Sequence, residues 1–216
     1  MFRLGLGMHA RHAGPRPTGI LKLYEFEACP FCRKVREART ALDLEVEVYP
    51  CPKNGPTYRP EVVALGGRSM FPYLVDEGAD WRGYESADII RHLYERYGNR
   101  SAPAYLASDI SVPLGSFASL FRLPRGGRYR TARKPDELLE LYSFEASPYC
   151  RIAREALCEL ELPYRLVNVG KGSPRRKAFR ERSGRMMVPW LADPNTGVEM
   201  HESEDIRNYL YETYAA

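Results

Sequence analysis

The sequence lacks any apolar run long enough to cross a membrane. No stretch of about 18 consecutive apolar residues occurs in its 216 positions. Residues 1–19 also lack the apolar core of a secretory signal peptide, although they carry arginines and no acid. The sequence therefore predicts neither a membrane span nor a secretory signal. A remnant of an organelle-targeting segment is the less favoured interpretation of residues 1–19.

Cysteine is also scarce. The five cysteines form an odd set in a long chain, whereas a secreted disulfide framework has more of them, evenly counted, in a shorter chain. We therefore predict a reducing compartment. This is the cytoplasm, or an organellar stroma if the protein comes from a photosynthetic eukaryote.

Acidic residues are missing from residues 122–134, which hold six basic residues. Such a run is typical of a solvated connection between structured segments. Binding of nucleic acid would require basic residues interleaved with stacking aromatic residues in a recognised module, and the sequence shows none. With 44% hydrophobic residues the chain is not disordered, and its length fits one medium-sized or two small domains.

What the sequence does contain is an internal repeat. The stretch LKLYEFEACPFCR at 21–33 returns as LELYSFEASPYCR at 139–151, and 15 of 28 positions are identical in the window around it. Further matches follow at nearly the same offset: MFPYL at 70–74 with MVPWL at 187–191, and ESADI at 85–89 with ESEDI at 202–206. We conclude that the chain is a tandem duplication.

Each copy has the pattern of one small α/β domain. In the first copy we predict strands at 21–26, 45–49 and 73–75 with a fourth after a turn near Gly78, and helices starting at Pro30, at 59–64 and at 86–97. Ser86 is predicted to cap the last helix and Gly98 to end it. The order β-α-β-α-β-β-α predicts two tandem thioredoxin-like domains, each with a parallel strand pair and a hairpin.

The predicted domain limits follow from the repeat. The first domain with its N-terminal leader covers 1–98, a linker rich in Pro, Gly, Ser and Arg covers 99–134, and the second domain covers 135–216. The tripeptide FRL occurs ahead of both copies, at 2–4 and 121–123, so we interpret both leaders as parts of the repeat unit.

The CPFC segment at 29–32 is the candidate reactive site. A cysteine directly before a helix lies where unpaired N–H groups and the helix dipole favour a thiolate, and Arg33 and Arg36 follow on the same helix. We expect Cys29 to be the exposed nucleophile, with Cys32 one turn away as its resolving partner or as a spectator. A metal half-site would need four ligands and is disfavoured. Two inert, packed cysteines remain an alternative.

The second copy keeps this frame and changes the nucleophile. Ser147 stands where the first copy has Cys29, while Cys150 matches Cys32. Ser147 can cap the helix, or its hydroxyl can hydrogen-bond the thiol of a bound ligand. Because serine cannot form a disulfide, we predict dithiol chemistry for the first copy alone.

Two further motifs recur in both copies. The bonds Phe71-Pro72 and Val188-Pro189 are predicted to be cis, which leaves the preceding backbone free to pair with an extended peptide. The Glu-Ser pairs at 85–86 and 202–203 cap a helix, or they grip a carboxylate and an ammonium group. A ligand that carries a thiol, a carboxylate and an ammonium group would satisfy every motif. Glutathione has this chemistry.

Together these motifs resemble the N-terminal, glutathione-binding domain of glutathione transferases, and CPFC also resembles the site of glutaredoxins and cysteine-type transferases. The duplication is similar to the tandem N-terminal-domain transferases of photosynthetic organisms, without the all-helical domain of ordinary transferases. The resemblance implies that Cys29 is the catalytic thiol, with Cys32 and Ser147 at the matching catalytic positions. It also implies glutathione contacts at Phe31, Phe71, Pro72, Glu85 and Ser86, and at Tyr149, Cys150, Val188, Pro189, Glu202 and Ser203.

The expected function is that of a glutathione-dependent thiol–disulfide oxidoreductase or thiol transferase, with glutathione as cofactor and thiols or disulfides as substrates. A non-catalytic glutathione-binding or interaction protein is the first alternative. A glutathione-conjugating transferase is the second alternative. It is disfavoured because ordinary transferases build most of their hydrophobic pocket from the all-helical domain, whose place the second copy takes here. An iron–sulfur cluster shared between two protomers is the least favoured. The two domains are expected to pack on each other, and a homodimer is an open alternative.

Overall fold

The computed structural model describes residues 7–107 and 126–216. The first half contains β1 (Leu21–Glu25), α1 (Pro30–Ala41), β2 (Val46–Pro50), α2 (Tyr58–Gly66), β3 (Tyr73–Asp76), β4 (Trp81–Gly83) and α3 (Ser86–Tyr97), followed by the short helix α4 (Ala104–Ala107). The second half contains β5 (Leu139–Ser143), α5 (Pro148–Glu159), β6 (Tyr164–Asn168), α6 (Arg175–Ser183), β7 (Trp190–Asp193), β8 (Val198–His201) and α7 (Ser203–Tyr214). The order β-α-β-α-β-β-α is confirmed in both halves, and so is the prediction of two tandem thioredoxin-like domains.

The strand pairing within each half is also as predicted. The first two strands of each half are parallel, and the last two form an antiparallel hairpin. A single 3₁₀ turn (Glu77–Ala79) lies at the turn predicted near Gly78. In the part of the chain that the structure describes, no all-helical domain is present.

The two halves share one sheet, which the sequence did not predict. Strands β2 and β6 pair antiparallel, with Val46 opposite Leu166 and Val48 opposite Tyr164. The result is an eight-stranded sheet in the order β4-β3-β1-β2-β6-β5-β7-β8. Because β2 and β6 are antiparallel, the carboxyl ends of the parallel strands lie at opposite edges of the sheet in the two halves. The candidate sites of the two copies therefore face opposite ends of the molecule.

The core follows the alternation of side chains along the strands. Leu21 and Leu23 of β1 point to one face of the sheet and belong to a buried cluster that also includes Leu141 of β5. This cluster is continuous across both halves and includes apolar residues of α1, α3, α5 and α7. Tyr24 points to the other face and packs with Tyr73 and other tyrosines beneath α2. Glu25, the next residue on the first face, is buried despite its charge.

The leader of each copy crosses to the other half. The Gly7 carbonyl accepts a hydrogen bond from the N–H of Ala146 at 2.9 Å, and the Gly126 carbonyl accepts one from the N–H of Ala28 at 3.4 Å. Ala28 and Ala146 each directly precede the candidate nucleophile position of their copy. Each leader thus lies beside the candidate site of the other copy. The two FRL stretches at 2–4 and 121–123 lie outside the described residues.

The start of the last helix differs from the prediction. Helix α3 begins at Ser86, and Glu85 is the capping residue, with a φ of 61° and no hydrogen bond from its side chain to the helix. The Glu85 carbonyl accepts the first helical bond from the N–H of Ile89 at 3.0 Å, which places Ser86 inside the first turn. The prediction that Ser86 caps this helix is therefore wrong. Glu202, with a φ of 70°, repeats the arrangement ahead of α7.

Residues of the predicted linker that the structure describes include helix α4 and the segment 126–134, where the basic side chains are exposed. No helix among the described residues is long and apolar enough to cross a lipid bilayer.

Candidate functional site

The candidate site of each half lies at the carboxyl ends of its parallel strands. In the first half, β1 leads into the N-terminus of α1, the antiparallel strand β3 begins at the same edge, and β4 ends there. The motifs at Cys29, Pro72 and Glu85 are therefore brought to one edge of the sheet. The second half repeats this arrangement with Ser147, Pro189 and Glu202.

Cys29 caps helix α1 through its sulfur. Its backbone is extended, and the N–H of Cys32 donates a hydrogen bond to the Cys29 Sγ at 3.3 Å. Cys29 is only 4% exposed, so the expectation of an exposed nucleophile is wrong. The cap turns the sulfur inward onto the helix N–H groups, and the backbone of Gly126 is hydrogen-bonded to the preceding residue, Ala28.

The two thiols of the motif differ in acidity. The hydrogen bond with the Cys32 side chain lowers the pKa of Cys29, the N–H groups of Phe31 and Cys32 and the charge of Arg36 act in the same direction, and burial opposes them. Burial, the hydrogen bond with Cys29 and the charge of Glu25 raise the pKa of Cys32 well above its ordinary value. Cys29 is therefore the more acidic thiol of the pair and Cys32 the less acidic one.

The second copy has the same geometry with an oxygen in place of the sulfur. Ser147 caps α5, and the N–H of Cys150 donates to the Ser147 Oγ at 3.2 Å. Burial raises the pKa of Cys150. The structure thus contains the capping role that was predicted as one function of Ser147, and it leaves the second site without a reactive thiol pair.

Both prolyl bonds predicted to be cis are cis, at Phe71-Pro72 and at Val188-Pro189. Phe71 also reaches the start of α1, because its ring packs edge-on against Phe26, 6.2 Å away, and the Phe26 carbonyl accepts a hydrogen bond from the N–H of Cys29. Arg59 lies over the Phe71 ring at 4.6 Å, and its Nε donates to a backbone carbonyl at 2.6 Å. Arg59 and Phe26 were not predicted as site residues.

The remaining predicted site residues differ in their exposure to solvent. Ser86 and Ser203 are buried in the first turns of their helices, whereas Glu85 and Glu202 are exposed at the edge. The aromatic residue that follows the proline in each motif is exposed, Phe31 at 40% and Tyr149 at 63%. Exposed aromatic rings and carboxylates beside a buried helix start offer contacts for a small ligand with an ammonium group.

A buried cluster of charges joins the two halves beneath the site. Arg36 of α1 pairs with Glu25 at 2.7 Å, and also with Glu145 of the second half at 3.0 Å. In the reciprocal arrangement, Arg154 of α5 pairs with Glu27 of the first half at 3.0 Å and with Glu145 at 2.9 Å. All five side chains are 3% exposed or less. Each guanidinium is thus held by a carboxylate from the opposite half.

Glu25 is a carboxylate of this cluster with a raised pKa. Burial raises its pKa from 4.5 to about 7, the neighbouring carboxylates Glu27 and Glu145 add to this effect, and the charge of Arg36 opposes it. The corresponding residue of the second copy is Ser143, whose buried hydroxyl has no hydrogen-bond partner. The first copy therefore has a buried, titratable carboxylate that the second copy lacks.

The raised pKa of Glu25 predicts that Glu25→Gln stabilises the protein at alkaline pH. Between pH 4.5 and about 7 the folded protein binds more protons at Glu25 than the unfolded chain does, so its stability falls as the pH rises through this window. We expect the variant to exceed the parent by about 3 kcal/mol in free energy of unfolding at pH 8. Below pH 4.5 the two should be similar.

Denaturant titrations at pH 4.5 and pH 8 measure this difference. Glu77→Gln is the control, since Glu77 is an exposed partner of Lys22 and its loss should cost less than about 1 kcal/mol at either pH. Equal stability of Glu25→Gln and the parent protein at pH 8 would show that the charge of Glu25 does not destabilise the folded protein.

Sequence reasoning missed the cluster because its contacts between the halves join residues more than 100 positions apart. One signal was available in the strand alternation, where Glu25 occupies the third position on the face of Leu21 and Leu23. The sequence shows Arg36 as a cation near Cys29, but its partner Glu145 lies in the other copy. Among residues 7–107 and 126–216, no group of three or more His, Cys, Asp or Glu side chains is arranged to hold a metal ion.

Comparison with known protein families gives two matches along the chain. The model of the glutathione S-transferase N-terminal domain matches residues 23–101 and again residues 141–216. The first matched range contains the CPFC motif and Pro72, and the second contains the corresponding SPYC motif and Pro189. None of the curated proteins compared with the chain matches it.

Three solved structures similar to the chain are described as glutathione transferases. The glutathione transferase BmGSTD1 of Bombyx mori is 26% identical over 40% of this chain and 39% of its own, with a TM-score of 0.36. The same enzyme in complex with GTT is 27% identical over 39% of each chain, also at 0.36. Leishmania TDR1, described as a unique trimeric glutathione transferase, is 14% identical over 92% of this chain and 68% of its own, at 0.34. This chain therefore spans about two fifths of the length of the Bombyx mori protein.

Proposed function

Because the chain belongs to the glutathione S-transferase family, through two copies of its N-terminal domain, we propose that it is a glutathione-dependent thiol–disulfide oxidoreductase that removes glutathione from mixed disulfides. The observation that carries the proposal is the asymmetric thiol pair at the start of α1. Cys29 has a lowered pKa and Cys32, in contact with it, has a raised one. This combination suits a nucleophile and a resolving thiol.

The first step is attack of the Cys29 thiolate on the glutathione sulfur of a mixed disulfide. The disulfide bond of the substrate breaks, the substrate leaves as a thiolate, and a new disulfide joins Cys29 to glutathione. The adduct is resolved in one of two ways. Cys32 attacks Cys29 and releases glutathione, or a second glutathione attacks the adduct and leaves as glutathione disulfide.

The residues at the edge of the sheet support recognition of glutathione. We assign its contacts in the first half to Phe31, Phe71, Pro72, Glu85 and Ser86, with the exposed carboxylate of Glu85 placed for the ammonium group. In the second half the matching contacts are Tyr149, Cys150, Val188, Pro189, Glu202 and Ser203. The cis bonds support pairing of the ligand backbone with Phe71 and Val188.

A second function is favoured for the second half. Ser147 makes the same cap as Cys29 but cannot form a covalent adduct. We propose that this half binds glutathione without turnover. Conjugation of glutathione to hydrophobic compounds is less well supported, because the described residues contain no helical domain to complete a hydrophobic pocket. A reducing compartment, the cytoplasm or an organellar stroma, would keep all five cysteines as free thiols.

The proposal predicts where a glutathione adduct forms. When a Cys32→Ser variant is treated with glutathione disulfide, we expect one glutathione per chain, attached to Cys29, because the resolving thiol is absent and the pKa is lowered at Cys29 but raised at the other cysteines. Intact-mass and peptide mass spectrometry measure the stoichiometry and the position. The parent protein should also reduce a glutathionylated peptide catalytically when glutathione is supplied.

Other outcomes contradict the proposal. An adduct on Cys51, Cys150 or Cys158 in place of Cys29 would show that the acidity of the thiols is not as assigned. Calorimetric binding of glutathione without any turnover by the parent protein would instead support a non-catalytic glutathione-binding protein.

A further inference from the structure

The leader of the second copy passes beside the nucleophile of the first half, and we call its residues 126–134 the strap. The strap begins at Gly126, whose carbonyl accepts the hydrogen bond from the N–H of Ala28 at 3.4 Å, and Ala28 directly precedes Cys29. It then pairs with the loop after β2, where the backbone of Lys53 makes two hydrogen bonds to it, at 2.8 and 3.1 Å. These bonds hold the strap at the rim of the candidate site.

The strap carries positive charge to the surface. It contains no acidic residue. Its basic side chains are all exposed, and they are Arg128, Arg130, Arg133 and Lys134. Lys53, which faces Arg128 in a bridge between the two segments, is exposed as well. Two of these cations, Lys53 and Arg128, therefore lie within a few residues of the backbone that is bonded next to Cys29.

The carboxylates near the strap do not neutralise these two cations. Glu159 is buried and pairs with Arg130 at 3.1 Å, and Glu27 is buried and pairs with Arg154 of α5 at 3.0 Å. Among the described residues, Arg128 has no ion-pair partner. A ligand at this rim thus meets cations at the surface, while the nearby acids are engaged below it.

The strap and the proposed glutathione contacts lie on opposite sides of β1. In the sheet, β3 and β4 lie on one side of β1, and β2 lies on the other. Pro72 precedes β3 and Glu85 follows β4, whereas Lys53 and the strap adjoin the end of β2. A mixed disulfide has a glutathione part and a protein part. With glutathione on the side of β3, the side of β2 remains for the protein part.

We propose that the strap selects the substrate of the first half, and that this substrate is a glutathionylated protein with acidic residues next to its modified cysteine. This inference rests on the proposed function and names its substrate class. Acidic residues near the cysteine are attracted to Arg128 and Lys53, which speeds encounter and orients the disulfide toward Cys29. The disulfide bond of the substrate then breaks, Cys29 bonds to the glutathione sulfur, and the protein leaves as a thiolate with the electron pair of the broken bond.

Two glutathionylated peptides that differ only in the residues flanking the cysteine, aspartates or lysines, test the preference. Acidic neighbours raise the pKa of the leaving thiol, so with glutathione alone the acidic peptide should react more slowly, and this rate is the intrinsic comparison. With the parent protein we expect kcat/KM to be at least about tenfold higher for the acidic peptide at about 20 mM salt. The preference should fall to within about threefold at about 500 mM salt, because salt screens exposed charges.

Arg128→Glu and Lys171→Glu are the matched variants. Both reverse one exposed cation, and Lys171 lies in the corresponding bridge of the second half, opposite His9. We expect Arg128→Glu to lower kcat/KM for the acidic peptide by at least about tenfold relative to that for the mixed disulfide of glutathione and 2-mercaptoethanol. Lys171→Glu should change this ratio by less than about twofold. Arg128→Gln removes the charge without adding another, and it should give an intermediate ratio even if the reversal disturbs the strap.

The remaining outcomes separate the inference from the proposed function. Equal losses in the two charge reversals would reduce the effect to net charge and overturn the inference, as would a preference that is absent or independent of salt. Binding of a single-stranded oligonucleotide that Arg128→Glu abolishes, without any peptide preference, would assign the strap to nucleic acid instead. If neither peptide is turned over and no adduct forms on Cys29, the proposed function itself is wrong and the inference falls with it.

Discussion

Arg154→Met is expected to lower the free energy of unfolding by about 3–5 kcal/mol, the usual cost of removing one partner from a buried ion pair. Arg154 holds two carboxylates, Glu27 at 3.0 Å and Glu145 at 2.9 Å, and all three side chains are almost fully buried. Without Arg154, Glu27 and Glu145 keep Arg36 at 3.4 and 3.0 Å, and their next guanidiniums, those of Arg151 and Arg33, are 3.9 Å away. A methionine fills the volume but cannot compensate a buried charge.

The same substitution at an exposed ion pair is the control. Arg91 pairs with Asp88 on the surface of α3, where both side chains are more than half exposed, and Arg91→Met should cost less than about 1 kcal/mol. Guanidinium chloride titrations followed by circular dichroism measure both variants. Equal losses for the two arginines would show that the buried cluster contributes nothing beyond a surface pair.

The buried cluster also predicts that the halves unfold together. The chain has two tryptophans, Trp81 in the first half and Trp190 in the second, so Trp81→Phe and Trp190→Phe leave one reporter in each half. We expect the two fluorescence transitions to coincide, because β2 and β6 pair and each guanidinium of the cluster binds across the halves. Transitions at clearly different denaturant concentrations would indicate two independent folding units.

The fold within each copy could be predicted from the sequence, whereas the joining of the copies could not. Strand alternation, Pro30 at a helix start and the repeat itself are local signals, and they predict the elements within a few residues of their observed bounds. The alternation of Val46 and Val48 is the same whether β2 is an edge strand or has a neighbour on both sides. Its pairing with β6 depends on a contact between residues more than 100 positions apart, which one sequence does not encode locally.

The candidate site was predicted where its chemistry is local and missed where it depends on distant residues. The cap made by Cys29 and the cis bond before Pro72 follow from short motifs. Ala28, the residue before Cys29, is hydrogen-bonded to Gly126, which belongs to the leader of the other copy. Glu25 appeared as one polar residue in a strand, and its acidity depends on Glu145, more than half the chain away.

Cys29→Ser is expected to lower kcat/KM for reduction of a glutathionylated peptide by at least about 1,000-fold, a loss of about 4 kcal/mol of transition-state stabilisation. The variant removes the one thiol of the site whose pKa is lowered, and a serine hydroxyl is not ionised at neutral pH. The second copy indicates that the variant folds. Ser147 occupies the same place, and its cap at 3.2 Å is close to the 3.3 Å cap of Cys29.

Binding separates the loss of the nucleophile from damage to the site. Since the proposed contacts of glutathione lie at the edge of the sheet and on α3, calorimetry should find glutathione bound to Cys29→Ser with an affinity close to that of the parent. Cys32→Ser is the second comparison, and it should keep turnover through the monothiol route. Turnover by Cys29→Ser at the parental rate would assign the reaction to another thiol. Joint loss of binding and turnover would place Cys29 in ligand recognition instead. The chain would then share the family's fold without the chemistry proposed for it.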